Sequence, residues 1–152
     1  MTTCNWTLAR LADIDVMSAV EIFELRQRVF VVEQTCVYQD IDVIDREAWH
    51  LSGRDNNGLL TAYLRIIPPL GKYPGPAIGR VVTSPEARGG GLGRALMLEG
   101  IRQTDELFPG TSLFLSAQTY LINFYQSLGF VTDGEPFDED GIEHIEMVRA
   151  AD

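Results

Sequence analysis

The hydrophobic and polar positions along the chain follow two different periods, one typical of strands and one typical of helices. Alternating and β-branched patterns predict strands over residues 5–9, 47–53, 59–67, 77–83, 113–117, 130–132 and 142–149. Apolar residues at helical spacing predict helices from Asp13 or Asp15 to about residue 34, from Arg94 to residue 107, and over residues 120–128. This order of elements predicts an α/β domain in which helices cover a mixed sheet.

Turn-forming residues separate several of these elements. Residues 54–58, with the sequence Arg-Asp-Asn-Asn-Gly, predict the turn of a hairpin between the second and third strands. Prolines and glycines predict a stiff loop over residues 68–76. Arg26 and Arg28 predict a polar outer side for the later part of the first helix.

Length and composition indicate the class of protein. The chain has 152 residues, of which 45% are hydrophobic, and this predicts one domain spanning residues 1–152. No run of about 18 apolar residues is present, so no membrane span is expected. The polar residues 1–10 lack the basic start and apolar run of a secretion signal, and a cytoplasmic protein is therefore expected.

Charge and cysteine content indicate which ligands and partners the protein is expected to bind. The formal net charge of −10 disfavours nucleic acid or an anionic membrane and is compatible with a cationic amine substrate. Cys4 and Cys36 fit no zinc or redox spacing, and both are expected to be packed thiols. No metal site is expected.

Two acidic runs stand out. Asp40, Asp42 and Asp45 lie in an irregular segment, residues 38–46, that lacks the glycine and distal glutamate of an EF-hand calcium loop. This cluster predicts either a recognition surface for a cationic acceptor or a solvated loop. The second run, residues 138–140, predicts a solvated hairpin tip.

The most informative segment is a glycine loop, residues 88–93, with the sequence Arg-Gly-Gly-Gly-Leu-Gly, between a predicted strand and a predicted helix. Glycines allow main-chain amides to approach a ligand closely, and a helix start adds unpaired N–H donors and a partial positive charge. This combination predicts a pyrophosphate site, flanked by Arg88 and Arg94. The loop lacks the Gly-Lys-Ser/Thr of a Walker motif, and the dinucleotide fingerprint fails in every register.

The spacing that fits is R-x-x-G-x-G, formed by Arg88, Gly91 and Gly93, and it resembles the pyrophosphate loop of the GNAT acetyltransferase superfamily. The strand before it and the later Y-x-x-x-G-F segment, from Tyr125 to Phe130, are similar to that family as well. Further segments resemble the ElaA-like branch: residues 25–34, 38–42, 78–81, 117–118 and 139–144.

The resemblance implies a GNAT fold, with a largely antiparallel mixed sheet, helices on both faces, and strands that splay before the glycine loop. It also implies direct transfer of an acetyl group from acetyl-CoA to a primary amine of a small molecule or a protein. A non-catalytic acyl-CoA sensor stays as the alternative. By motif position, the residues implied to bind the cofactor are Val81, Val82, Thr83, Arg88, Gly89, Gly90, Gly91, Leu92, Gly93, Arg94, Asn123 and Tyr125.

Candidates for the chemistry follow from side-chain type. Tyr125 matches the tyrosine that family members direct toward the sulfur, and a phenol can donate a proton to a departing thiolate. For the base, His144 and Glu33 rank ahead of His50, which is expected to be a satisfied sheet residue. Deprotonation through water stays open. The acceptor is not specified by the sequence, and the resemblance makes a homodimer an expectation.

Overall fold

The computed structural model describes residues 4–151. Residues 1–3, which belong to the polar stretch that was considered above for a secretion signal, lie outside the described part. The strands are β1 (Asn5–Arg10), β2 (Trp49–Arg54), β3 (Leu60–Ile67), β4 (Ala77–Thr83), β5 (Leu113–Gln118), β6 (Val131–Thr132), β7 (Phe137–Glu139) and β8 (Ile142–Arg149). The α-helices are α1 (Val16–Arg26), α2 (Leu92–Leu107) and α3 (Ile122–Gln126). None of the helices within residues 4–151 combines the length and apolar character needed to cross a bilayer.

The described strands form one sheet in the order β1-β2-β3-β4-β5-β8-β6, with β7 also paired to β8. All pairs are antiparallel except β4 with β5, which run parallel. Within the described residues the β4–β5 register consists of the single pair Ala77 and Phe114, at the start of both strands. The two strands then diverge. The expected mixed, splayed sheet is confirmed.

Helices cover both faces of this sheet. Tyr63 and Leu64 are consecutive residues of β3, so their side chains point to opposite faces. Tyr63 packs with Val82 and with Ile22 and Leu25 of α1, whereas Leu64 belongs to the larger core under α2 and α3. Burial of these apolar side chains is the main stabilising contribution on each face.

The first helix has the predicted start and a different end. The carboxylate of Asp15 accepts a hydrogen bond from the amide of Ser18 at 3.2 Å and caps the helix. The α-helical winding stops at Arg26, and a π-helical segment, Gln27–Glu33, continues the chain to the predicted boundary. Arg26 is fully buried, so its predicted place on a polar outer side is wrong.

The segment that contains Asp40, Asp42 and Asp45 is not a solvated loop, so that expectation is wrong, whereas a recognition surface for a cationic acceptor stays a prediction, since Asp42 lines the cavity described below. Asp40 and Asp45 are buried, and arginines from three other elements bind the three carboxylates. The Asp42 side chain also caps the 3₁₀ turn Val43–Arg46. Ion pairing with partners distant in sequence explains why this acidic run is internal.

The acidic run at residues 138–140 is exposed at a hairpin tip, as predicted. The prediction missed strand β7, which pairs with β8 through Phe137 opposite His144. At the turn, Asp140 and Gly141 both have positive φ angles, 53° and 83°. Two consecutive left-handed residues are typical of the tight turn that joins antiparallel strands.

Candidate active site

A cavity of about 730 Å³ lies where β4 and β5 diverge. Its walls come from the π-helical segment, β4, β5, the start of α3, and the β7–β8 hairpin. The strands β4 and β5 are parallel and pair only near their first residues. Because no ladder of hydrogen bonds joins them beyond that point, the cavity opens between them. A cavity with apolar walls and a few converging polar groups is the usual form of a small-molecule site.

Strand β4 contributes Val81, Val82 and Thr83 to this cavity. A β-bulge interrupts its pairing with β3, because Gly79 lies opposite Arg65 while Val82 lies opposite Tyr63. One extra residue on β4 therefore bends the strand just before these three residues. The predicted cofactor strand thus faces the opening between β4 and β5.

The glycine loop joins β4 to α2. Gly89 and Gly91 have φ angles of 94° and 81°, and Gly91 is the N-cap of α2. Residues with side chains rarely adopt these angles. The first amides of a helix have no acceptor within the helix, and in α2 these are the amides of Leu92, Gly93 and Arg94. The loop glycines 89–91 are exposed, so donors at a helix start are accessible to an anion.

Arginines flank these donors. Arg88 lines the cavity and binds the Glu33 carboxylate through both terminal nitrogens, at 2.8 Å and 3.2 Å. Arg94 donates to the hydroxyl of Ser127 at 2.9 Å. Because the guanidinium groups of both arginines are partly exposed, each can turn toward a ligand. Leu92 is buried in the core, so only its main chain is available.

Tyr125 lines the same cavity from α3. Its ring packs edge-on against Phe124 and Phe130, with centroid distances of 5.1 Å and 6.1 Å. Burial, with a smaller contribution from Tyr120, raises the pKa of Tyr125 to about 12. No hydrogen bond to its hydroxyl is found within residues 4–151. The group is therefore held as a neutral phenol with a free O–H.

His144 lies on β8 opposite Gln118 and also lines the cavity. Its Nδ1 is 2.8 Å from the carbonyl oxygen of Ile142, which can only accept, so Nδ1 carries the proton. In the neutral ring Nε2 then has a free lone pair, and it lies 3.6 Å from a carboxylate oxygen of Glu139. The ring stacks on Phe137 at 6.1 Å. This arrangement suits a proton acceptor beside a carboxylate.

The sequence also led to expectations for His50, Asn123 and Cys36. His50 is buried away from the cavity, with Nδ1 2.7 Å from the hydroxyl of Tyr63 and Nε2 2.9 Å from the carbonyl of Asp45, so the expected satisfied sheet residue is confirmed. Asn123 is exposed on α3 and does not line the cavity. Cys36 is buried, and its thiol donates to the Asp140 carbonyl at 3.4 Å.

Two polar cavity residues of β5, Ser116 and Gln118, were not predicted. The buried hydroxyl oxygen of Ser116 has no hydrogen-bond partner in the described chain. Gln118, next along the same face of β5, contacts Gln34 at 3.5 Å. Buried and half-buried residues alternate along β5, so Ser116 and Gln118 lie on its second face. The spacing of these two polar residues, two positions apart in a predicted strand, was visible in the sequence. An unsatisfied hydroxyl in a cavity fits a polar ligand.

The chain is similar to proteins of one family. A family model described as an acetyltransferase (GNAT) domain matches residues 30–151. A UPF0039 protein from Synechocystis is 44% identical, and the match covers 95% of this chain and 94% of the relative. Protein ElaA of Escherichia coli is 38% identical over 95% of each chain.

Solved structures agree with the sequence matches. An acyl-CoA N-acyltransferase from Pseudomonas aeruginosa is 39% identical and superposes with a TM-score of 0.91 over 97% of this chain and 100% of its own. The crystal structure of Escherichia coli ElaA gives a TM-score of 0.89, with 97% and 99% covered. These matches support acyl transfer from a coenzyme A thioester. The chain therefore belongs to the GNAT acetyltransferase family and, through its similarity to ElaA, to the ElaA-like branch.

Proposed function

We propose that this enzyme transfers an acetyl group from acetyl-CoA to a primary amine by direct attack. One observation carries the proposal: the diverging strands and the buried phenol of Tyr125 line one cavity, and Arg88, the first residue of the glycine loop, lines it as well. A diphosphate needs amide donors, a thioester needs an apolar slot, and a departing thiolate needs a proton. The loop that follows Arg88 supplies the amide donors, and the cavity supplies the slot and the proton.

The cofactor side is assigned to the loop and to β4. The diphosphate of acetyl-CoA accepts hydrogen bonds from the amides at residues 89–94, and Arg88 and Arg94 offset the acidic net charge locally. The pantetheine arm enters between β4 and β5, where Val81, Val82 and Thr83 offer main-chain groups. An amide near Val81 or Val82 donates to the oxyanion as the thioester carbonyl is attacked.

The acceptor side is assigned to the opposite wall. His144 takes a proton from the ammonium through Nε2, and the carboxylate of Glu139 stabilises the imidazolium that forms. Glu33, at the end of the π-helical segment, is the second candidate for this role and lines the same cavity. Glu139 and Asp140 add negative charge at the rim, which favours a cationic amine over an anionic acceptor.

The reaction balances without a metal or a covalent enzyme intermediate. The neutral amine forms the new C–N bond, and the C–S bond of the thioester breaks. Tyr125 delivers a proton to the sulfur and regains one from the nitrogen that has become an amide. The products are an N-acetyl amine, coenzyme A as its thiol, and one proton released from His144 to water.

The test is a binding and turnover experiment on the purified protein. We expect isothermal calorimetry to detect one acetyl-CoA site, and a panel of primary amines to release free thiol in its presence. Arg88→Ala should weaken binding by about tenfold, as the loss of one charge-assisted contact predicts. Arg102→Ala, which removes an exposed arginine on α2 that pairs with Glu99 and Glu106, is the matched control.

Three outcomes would contradict the proposal. Absence of heat with both acetyl-CoA and coenzyme A would remove the cofactor assignment. Binding with no thiol release across the panel would replace the enzyme with an acyl-CoA sensor that has the same loop. Equal acetyl-CoA affinity in Arg88→Ala and Arg102→Ala would mean that the diphosphate binds away from the loop.

A further inference from the structure

Arg80 has an unusual main-chain conformation for a strand residue. Its φ angle is 53°, in the left-handed region, although it lies within β4. It is also the extra residue of the bulge, because Arg80 and Val81 together lie opposite Leu64 of β3. Bulges of this type normally place glycine at the left-handed position. A side-chain residue persists there only when its surroundings hold it.

The surroundings that hold Arg80 come from the acidic segment. Its Nε lies 2.8 Å from Oδ1 of Asp40 as an ion pair, although the N–H is not aimed along the hydrogen-bond direction. Its Nη2 donates to the main-chain oxygen of Asp40 at 3.0 Å and to Oδ2 of Asp42 at 3.3 Å. The guanidinium also stacks over the ring of Tyr38, at 5.4 Å. Arg80 thus has contacts on several sides.

The two aspartates are themselves fixed by buried arginines. Arg26, at the end of α1, donates to Asp40 at 3.0 Å and to Asp45 at 2.7 Å. Arg65 of β3 donates to Asp42 at 2.7 Å. Three arginines from α1, β3 and β4 therefore bind three aspartates of one segment, and their formal charges cancel. We call Asp40 and Asp42, anchored by Arg26 and Arg65, the aspartate clamp.

The clamp acts next to the proposed oxyanion donors. The residues that follow Arg80 are Val81 and Val82, which line the cavity. We propose that Asp40 and Asp42 are positioning residues for acyl transfer: they hold Arg80 in the left-handed conformation and so fix the bulge that aims the amides of Val81 and Val82 into the cleft. This inference rests on the proposed function, because the aimed amides matter only if a thioester carbonyl binds there.

A purely structural role explains less. Arg26 and Arg65 are almost completely buried and would anchor the segment to α1 and β3 without Arg80. The side chain of Arg80 is 22% exposed and lines the cavity together with Asp42 and Arg65, and Arg80 is the arginine of the network that directly precedes Val81 and Val82. A contact that served stability alone would not require a strained main-chain angle at the bulge.

Two substitutions at one position separate the main-chain role from the side-chain role. Arg80→Ala removes the clamp contacts and keeps a Cβ that disfavours a φ of 53°, whereas Arg80→Gly removes the same contacts and adopts that angle freely. We expect kcat to fall by about 10- to 100-fold in Arg80→Ala, as for other small displacements of reacting groups. Arg80→Gly should recover part of that loss. Calorimetric affinity for acetyl-CoA should stay within about threefold in both, because the loop amides are untouched.

Controls keep the outcome interpretable. Arg54→Ala removes a half-exposed arginine that pairs with Glu21 on the far side of α1, and it should leave kcat unchanged. Asp42→Asn keeps the side-chain shape, and it serves as a second test of the clamp, with a smaller fall in kcat expected. Thermal unfolding of each variant reports whether it is folded at the assay temperature.

Three results would overturn the inference. Full kcat in Arg80→Ala and Asp42→Asn would remove the positioning role. Equal loss in Arg80→Gly and Arg80→Ala would mean that the guanidinium contacts substrate directly. Loss of acetyl-CoA affinity in parallel with kcat would point to cofactor binding instead. Failure of the proposed function is distinguishable, because the unsubstituted enzyme would then bind no acetyl-CoA or release no thiol, and the positioning role would fall with it.

Discussion

At the scale of single residues, the proposed chemistry depends on the neutral phenol of Tyr125 in the cavity wall. Burial keeps the pKa of Tyr125 near 12, so its hydroxyl remains a donor throughout the neutral range. The contacts of its ring with Phe124 and Phe130 do not involve the oxygen. The ring of Tyr125 therefore packs in the core, and its hydroxyl is directed to the cavity.

This division of roles predicts the effect of Tyr125→Phe. Loss of the hydroxyl should lower kcat by about 10²-fold or more, within the range for a general acid, because the thiolate then leaves unassisted. The free energy of unfolding should change by less than about 1 kcal/mol, since no hydrogen bond is lost. Steady-state kinetics and urea titration check both values. Unchanged kcat would remove the acid role.

A second residue-scale prediction concerns His144. His144→Gln keeps a polar side chain but cannot accept a proton, so the acidic limb of kcat/KM against pH should disappear along with most of the activity. The carboxylate of Glu139 contacts the ring, and other charged groups that line the cavity include Asp140, Glu33 and Lys72. Glu33→Gln is the matched comparison. If the limb survives in His144→Gln and vanishes in Glu33→Gln, the base is Glu33.

The buried His50 gives a prediction for stability. Burial lowers the pKa of His50 below its usual value, despite the hydrogen bond to the carbonyl of Asp45. Below about pH 6.5, where a histidine in the unfolded chain becomes protonated, the unfolded state binds the proton more readily. Stability should thus be full above pH 6.5 and fall as the pH drops below it. Urea unfolding at pH 7.5 and 5.5 should show this fall in the unsubstituted protein and a smaller one in His50→Gln; equal falls would contradict it.

At the scale of elements, the glycine loop combines two requirements that substitutions can separate. Gly91 needs its left-handed φ of 81° to start α2, whereas Gly93 is helical with open space around a Cβ. Gly91→Ala should destabilise the fold by about 1 kcal/mol through backbone strain and weaken acetyl-CoA binding.

Gly93→Ala provides the contrast. It should leave stability unchanged or slightly raised, because alanine favours helices by about 1 kcal/mol over glycine. It should still weaken acetyl-CoA binding if the diphosphate passes over this residue. Thermal unfolding and calorimetry measure the two effects. Equal acetyl-CoA affinity in Gly93→Ala and the unsubstituted protein would contradict close approach of the diphosphate.

Elements with a local signature were predictable from sequence. Strand β4 and strand β8 have the predicted boundaries, and α2 begins two residues before its prediction. Periodicity reports which face of an element is apolar, and it does so without knowledge of the partner. The change from α to π winding after Arg26 was missed because it alters the hydrogen-bond register by one residue and preserves a helical pattern.

The aspartate clamp was missed for a different reason. Asp40 lies 14 residues from Arg26 and 40 residues from Arg80, so nothing local marks their pairing. A run of aspartates has the same appearance whether water or arginines satisfy it. Burial opposes ionisation of Asp45, but the hydrogen bonds from Arg26 outweigh it and the pKa of Asp45 lies below its usual value. Only the tertiary fold supplies this information.

At the scale of the whole molecule, the candidate site exists because the sheet splits. One half of the sheet consists of the antiparallel strands β1 to β4, and the other half contains β5 and β8. The two halves are joined by a single pair of residues in the β4–β5 register. The residues proposed to bind the cofactor lie on β4, the glycine loop, α2 and α3, whereas His144 lies on the second half. Local cations at the glycine loop oppose a net charge of −10, so an anionic ligand binds by short-range contacts rather than by the overall field.

The central claim is that acetyl-CoA occupies this split with its diphosphate on the glycine loop. A crystal structure of the complex with coenzyme A tests it most directly. The account predicts diphosphate oxygens about 3 Å from amides of residues 89–94 and the sulfur within reach of the Tyr125 hydroxyl. Coenzyme A bound elsewhere, or a diphosphate held only by side chains away from Gly91, would contradict it.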